Sequence, residues 1–149
     1  MTQRSYTTRR SAIVDAFVEK LLTINGTGNF LSTVSSVEPR LKLWDEIEEF
    51  PAIHVNAGSE TREYLGAGEK FRYLTLTFRC YVNEDDPVEA LEKLMEDVET
   101  VIETHNPITY TDNLGRVQST IQTSILSIDT DEGVLDPFGI GEIITTVQY

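Results

Sequence analysis

Residues 73–82 have the sequence Tyr-Leu-Thr-Leu-Thr-Phe-Arg-Cys-Tyr-Val, in which every second side chain from Leu74 to Val82 is apolar. Because successive side chains of a strand point to opposite faces, this stretch predicts a β-strand with one apolar and one mixed face. Four other segments have strand-like composition. They are residues 30–37, 52–57, 117–129 and 139–149. We therefore expect a mainly antiparallel sheet built around residues 73–82.

Two amphipathic helices are predicted on either side of the first strands. Ile13, Phe17 and Leu21 recur every fourth residue, and Thr7, Thr8 or Ser11 is available to cap the start of this helix. The second helix begins at Asp86-Pro87, with Glu89 placed for a capping box, and its apolar stripe continues to Ile102. The order helix, three strands, helix, two strands predicts one α+β domain over residues 1–149, with both helices on one sheet face.

Gly58, Gly66 and Gly68 surround a polar stretch between two of the predicted strands. This composition is typical of a projecting hairpin, and we expect its tip, about residues 58–70, to be poorly ordered until it meets a partner. A simple exposed turn is the alternative. The candidate contact residues in the hairpin are Glu60, Arg62, Glu63, Tyr64 and Lys70.

The charge of the 149-residue chain is strongly acidic, with 25 acidic and 12 basic residues and a net charge of −13. That balance argues against a general nucleic-acid-binding protein, which needs a basic surface. Residues 1–42 nevertheless carry six basic and three acidic residues, and Arg4, Arg9 and Arg10 lie in a basic arm over about residues 1–10. We expect this arm to contact the acidic body of a neighbouring copy; a merely solvated arm is the alternative.

A search for catalytic and metal-binding patterns finds no assembled active site. Cys80 lies on the apolar face of its predicted strand, which favours a core role, and His54 and His105 lack the spacing of paired metal ligands. The stretch 129–133 lacks the glycine and glutamate positions of a calcium loop, and 66–70 lacks the spacing of a phosphate-binding loop. We expect a protein that is not an enzyme, with no cofactor, metal or membrane span.

Several local sequences, taken together, resemble the tail terminator proteins of long-tailed bacteriophages, also called tail completion or minor tail proteins. The similarity covers about residues 9–105. The segments that carry it are the opening helix from Arg10 to Leu22, Phe50-Pro-Ala-Ile-His-Val55, Gly58-Ser-Glu60, Leu74-Thr-Leu-Thr-Phe78 with Tyr81-Val82, and the acidic helix from Pro87 to Ile102.

This resemblance implies a structural virion protein, assembled in the host cytoplasm and located at the junction of tail and neck. It implies a ring, most commonly of six copies, that caps the tail tube and ends tube polymerisation. The implied partners are other copies of the chain, the tail tube protein, the head-completion or connector protein and, in contractile phages, the sheath protein. Because family members carry no catalytic residues, none is transferred to this sequence.

In such a ring, DNA passes through the channel without specific binding. An acidic lumen keeps the duplex centred and mobile, so we expect carboxylates to line the channel. The candidates are Glu84, Asp85, Asp86, Asp129, Asp131 and Glu132. The alternatives are another ring subunit of the neck or tail tube, a cytoplasmic adaptor or small-ligand domain, and a small enzyme assembled from scattered carboxylates.

Overall fold

The computed structural model of the chain describes residues 7–149 and confirms the α+β fold. The elements are the helices α1 (Arg9–Leu21) and α2 (Pro87–Thr104) and the strands β1 (Ser36–Glu38), β2 (Ala52–Tyr64), β3 (Lys70–Asn83), β4 (Thr109–Thr111), β5 (Val117–Ser119), β6 (Gln122–Thr130) and β7 (Phe138–Gln148). Five strands form one sheet in the order β1-β2-β3-β7-β6, and β4 and β5 form a small hairpin of their own. All neighbours in the large sheet are antiparallel except β1 and β2.

The alternating strand β3 lies at the centre of the large sheet, as its sequence pattern predicts. Leu74, Leu76, Phe78, Cys80 and Val82 point to the face that both helices cover, and all five are buried. Phe17 of α1 packs edge-on against Phe78, with ring centroids 5.3 Å apart. Burial raises the pKa of the Cys80 thiol to about 12, so this cysteine is a core residue.

Helix α2 lies unusually close to β7 because two glycines of that strand face it. A side chain at Gly139 would place its Cβ 2.8 Å from Val82 and 3.1 Å from the backbone oxygen of Pro87. A Cβ at Gly141 would collide with Met95. The strand therefore supplies a shallow groove, and the apolar stripe of α2 fills it.

Both helices start at their predicted cap residues, but the capping box predicted for α2 is only half formed. The Thr8 hydroxyl accepts a hydrogen bond from the Ser11 N–H at 3.0 Å, and the Ser11 hydroxyl oxygen accepts one from the Thr8 N–H at 2.8 Å, which completes a capping box. Asp86 caps α2 by accepting from the Glu89 N–H. The Glu89 carboxylate pairs with Lys93 instead of returning to its cap.

The predicted strand over residues 30–37 is mostly absent, and only its last part is included in β1. The carboxylate of Asp97, buried on α2, accepts the N–H groups of Leu31 at 2.8 Å and Ser32 at 2.7 Å. Because a side chain from a distant helix satisfies these backbone donors, the segment has no need of a strand partner.

Residues 39–50 form an arm that crosses the other face of the sheet, with one 3-10 turn at Trp44–Glu46. The Tyr81 hydroxyl donates to the Lys42 carbonyl, and His54 Nδ1 donates to the Arg40 carbonyl, each at 2.8 Å. The Trp44 ring lies 5.1 Å from that of Phe138. The arm buries His54, and this desolvation lowers the pKa of its imidazole.

The predicted strand over residues 117–129 is divided into β5 and β6. The Thr120 N–H donates to the Ile108 carbonyl at 2.9 Å, whereas the Ile121 N–H donates to the Gln148 carbonyl at 2.7 Å. The chain therefore changes from the small hairpin to the large sheet between these two residues. The amino-acid composition does not predict this change from one sheet to the other, because both β5 and β6 are rich in β-forming residues.

We predict that Gly139→Ala destabilises the fold by about 1–3 kcal/mol, because the new methyl group presses on Val82 and on the backbone of α2. Chemical denaturation measures the free energy of unfolding. Gly66→Ala is the matched control, since nothing lies within 4 Å of the added atom, and we expect its effect to stay within about 0.5 kcal/mol. Equal stability of the two variants would contradict the close approach of α2.

Candidate functional site

The sheet has two chemically different ends, and these contain most of the residues singled out in the sequence. At the hairpin end lie the β2–β3 tip, the last residue Tyr149 and the first turn of α1. At the acidic end, β3 runs into α2 and β6 turns back into β7. The eleven residues of β7 connect the two ends.

The structure has the predicted hairpin over about residues 58–70, but its two strands extend further toward the tip than the predicted strands over 52–57 and 73–82. Strand β2 continues to Tyr64 and β3 begins at Lys70, which leaves only residues 65–69 as the connection. A bulge between Ala57 and Glu60 accommodates the glycine at 58. Beyond Arg72, which pairs with Tyr149, β2 is the only strand of the described residues that flanks β3, and the hairpin projects.

A polar cluster clamps the base of this hairpin. The Arg10 guanidinium donates to the Gly58 carbonyl, and the Tyr149 hydroxyl donates to the Glu60 carboxylate. Arg62 Nε donates to the same carboxylate at 2.8 Å. The structure thus brings three predicted contact residues, Arg10, Glu60 and Arg62, together within one chain.

The electrostatics of the clamp follow from burial and pairing. Burial alone would raise the pKa of Glu60, but hydrogen bonds from Tyr149 and Arg62 outweigh it and hold the pKa below its ordinary value. Burial and the neighbouring carboxylate raise the pKa of Tyr149. The Arg72 guanidinium lies 5.4 Å from the Tyr149 ring centroid and makes a cation–π contact with that ring.

The tip beyond the clamp presents apolar and charged groups to solvent. Tyr64 is 69% exposed and Leu65 is 39% exposed, while the Lys70 ammonium lies 5.7 Å from the Tyr64 ring centroid. Glu63 is exposed as well. These side chains are available for contact with another molecule.

The basic arm is only partly as expected. Arg9 and Arg10 belong to the first turn of α1, and Arg10 is bound within its own chain, so these two residues are part of a helix and not of an extended arm. Arg9 is exposed and free to contact a neighbour. Arg4 lies outside the described residues.

At the acidic end, the two predicted groups of carboxylates lie in different segments, residues 84–86 in the β3–α2 junction and residues 129–132 at the end of β6 and the start of the β6–β7 turn. The Glu84 N–H donates to the Pro137 carbonyl at 3.0 Å, which ties the β3–α2 junction to the β6–β7 turn. Asp86 caps α2, and Asp131 accepts from the N–H groups of Leu135 and Ile140, so these two carboxylates stabilise their own loops. Of the six channel candidates, Glu84, Asp85, Asp129 and Glu132 are exposed without such a role.

One surface feature was missed in the sequence. Six large apolar side chains are exposed along the β4–β6 side of the molecule, and they are Leu114, Val117, Ile121, Leu126, Ile128 and Val134. The available signal was the absence of any charged residue from 117 to 128 in a chain with 25% charged residues. Within residues 7–149, no group of three metal-ligating side chains occurs, and no helix is long and apolar enough to cross a membrane.

Comparison with known proteins identifies the family. The sequence family described as "Bacteriophage Tail Tube Terminator Protein" matches residues 7–149. The chain belongs to this family. The expected resemblance to tail terminators is confirmed, and as a family member the chain is a structural component of a phage tail.

A curated relative supports this tail tube terminator assignment. The tail tube terminator protein p142 of Escherichia phage T5 is 35% identical over 125 residues, which cover 80% of this chain and 78% of the relative. A chain from the virion of a native gene transfer agent particle shares the fold, with a TM-score of 0.56 and 9% identity. That alignment covers 92% of this chain and 93% of the other.

We predict that Glu60→Ala leaves the tail tube terminator domain folded but loosens the hairpin, at a cost of about 1–3 kcal/mol, because Tyr149 loses its acceptor. Amide hydrogen exchange over residues 60–72 should accelerate. In the unaltered protein the same stabilisation should fade as the pH falls below about 4.5, since the pKa of Glu60 is lowered in the folded state.

Glu63→Ala is the control for this variant, because Glu63 is exposed on the same strand. Equal exchange rates in the two variants would show that the clamp does not hold the hairpin.

Proposed function

We propose that this tail tube terminator forms a ring of six copies. The ring caps the tail tube, ends its polymerisation and joins the tail to the neck. In this proposal its role is structural and it carries out no catalysis. The hairpin end contacts the tail tube protein. The acidic end faces the head-completion or connector protein, and a sheath protein surrounds the ring if the tail contracts.

The observation that carries this proposal is the chemical difference between the two ends of the sheet. A cap must bind the growing tube on one side and a different protein on the other. The hairpin end offers a projecting tip with Tyr64, Leu65 and Lys70, and the acidic end offers exposed carboxylates. Two unlike ends on one rigid sheet suit a subunit placed between unlike partners.

The charge distribution supports contact between copies. Arg9 is exposed on α1, whereas the body of each copy is strongly acidic. A contact between unlike patches on successive copies is heterologous, and such contacts close into a ring when the rotation allows. Arg4 adds to this basic patch in the sequence, and Arg10 contributes by fixing the start of α1 to the hairpin.

In the proposed ring, DNA passes through the opening without specific binding. The exposed acids Glu84, Asp85, Asp129 and Glu132 lie at one end of the sheet, so we propose that they surround one mouth of the channel. Repulsion between these carboxylates and the phosphates keeps the duplex mobile.

We predict that a shortened hairpin leaves the domain folded but blocks tail completion. The variant removes residues 63–71 and joins Arg62 to Arg72, which pair across the hairpin, through Asn-Gly, a sequence suited to a two-residue turn. Electron microscopy of tails assembled with the variant should show tubes that lack a terminator or have irregular length. The clamp formed by Glu60 and Tyr149 lies below the deletion and remains intact.

Glu92→Ala is the control for the shortened hairpin, because it changes an exposed side chain on α2, which is not part of the hairpin. Normal infectious tails from the shortened variant would refute contact of the hairpin with the tube.

We predict that the isolated protein does not bind double-stranded DNA near physiological salt, because a net charge of −13 repels phosphate. A gel-shift titration, with a basic DNA-binding protein as positive control, measures this. Micromolar or tighter binding would contradict free passage of DNA and would favour a DNA-binding role.

A further inference from the structure

The outer edge of β6 is an exposed strand edge with apolar side chains. Strand β6 pairs with β7 on one side, and within residues 7–149 no strand pairs with its other side. Leu126 is 62% exposed and Ile128 is 46% exposed. An edge of this kind, without lysine or proline in the strand, is a template for pairing with another chain.

The opposite edge of the same sheet is also partly open. Strand β1 pairs with β2 only over Ala52–His54. From residue 56 to Tyr64, no strand in the described part of the chain covers the outer side of β2, and Ser59, Thr61 and Arg62 are exposed. Each copy therefore carries two different open edges.

The direction of the strands makes these two edges complementary. Neighbours from β2 through β3 and β7 to β6 are all antiparallel, so β6 runs opposite to β2. When copies are related by rotation about a ring axis, β6 of one copy meets β2 of the next in the antiparallel sense. Because rotation about a ring axis brings unlike surfaces of successive copies together, β6 meets β2 of the next copy and not β6.

We propose that β6 of one copy pairs with the open half of β2 in the next copy, so that the sheet continues around the ring. This interface depends on the proposed ring, and it assigns the two open strand edges to the contact between neighbouring copies. The occupant of each edge is a second copy of this chain.

Two local features limit the paired region to residues 125–130. The Asn106 side chain accepts from the Thr123 N–H at 2.8 Å and donates to the Thr123 carbonyl at 2.9 Å, which occupies the edge at that position. A bulge lies between Ile125 and Ser127. Bulges and occupied backbone groups of this kind prevent a strand edge from pairing with unrelated strands, and they determine where a partner strand can begin to pair.

The ladder pairings also fix the offset between neighbouring copies. Following the pairs across the sheet, Ser127 is level with Ile144, Thr77 and Asn56. The open half of β2 is centred near Glu60, which pairs with Leu74, so the next copy is displaced by three residues along β3, or ~10 Å at ~3.3 Å per residue. Over four strand spacings of about 4.8 Å, this offset inclines the strands by roughly 27° to the ring axis.

Cysteine cross-linking in assembled tails tests the interface. The double variant carries Thr61→Cys and Ser127→Cys, which lie on the same face of the continued sheet, and the buried Cys80 thiol stays unreactive. Oxidation, or a short bis-maleimide where the register is one residue off, should give a ladder of oligomers up to the size of the ring. Each single variant should remain a monomer under the same conditions, because the contact is heterologous.

The matched control replaces Ser127→Cys by Glu92→Cys on the exposed face of α2, and it should give at least ten-fold less cross-linked product. Dimers from Ser127→Cys alone would overturn the proposal in favour of β6 pairing with itself. Normally terminated tails in which Thr61 and Ser127 give no more cross-linking than the control would overturn it while leaving the capping function intact. The capping function itself fails if tails terminate normally without the chain.

Discussion

The close packing of α2 on β7 is the constraint on which most of the structure depends. Because Gly139 and Gly141 have no side chains, the helix lies deep enough for Leu91 and Met95 to contact the strand. That position carries Asp97 to the N–H groups of Leu31 and Ser32. It also brings the segment after the helix beside β6, where Asn106 caps Thr123. One packing contact thus fixes a distant loop and limits an exposed strand edge.

The distance between the hairpin end and the acidic end of the sheet is larger than the range of electrostatic interactions in salt solution. The eleven residues of β7 span about 36 Å at ~3.3 Å per residue, whereas the Debye length is about 8 Å at physiological salt. Charges at the acidic end therefore have little influence on the hairpin end, and each end can bind its partner independently. Within the hairpin end, by contrast, Glu60, Arg62 and Tyr149 touch and behave as one unit.

The sequence predicts the parts of the fold that depend on local periodicity. Both helices, the strand β3 and the caps at Thr8 and Asp86 follow from spacing and capping chemistry. The interrupted segment 30–35 could not be predicted, because its hydrogen-bond partner Asp97 is 65 residues away from Ser32. The extent of the hairpin was missed because both of its faces are exposed there, so no apolar alternation marks the strand.

The candidate site was predicted in its composition and missed in its geometry. Arg10, Glu60 and Arg62 were predicted as contact residues, yet within the chain Arg10 binds the Gly58 carbonyl and Arg62 binds Glu60. The fourth member, Tyr149, gave no signal, because only the pairing with Arg72 brings the last residue to the hairpin. The apolar edge at Leu126 and Ile128 was overlooked because strand composition does not show which side of a strand lacks a neighbour.

The proposed ring must assemble from copies of the chain and then stop, and the chain offers a physical basis for both. In the proposed ring, each copy uses its two open strand edges on its neighbours, and closure leaves no edge for further growth. Growth along the axis would require a second identical ring, in which every copy again carries a charge of −13. Repulsion between two such rings would oppose stacking, whereas a tube subunit with a different surface would meet only the projecting hairpins. In the proposed ring, the acidity that we expect to prevent DNA binding would also limit the protein to one layer.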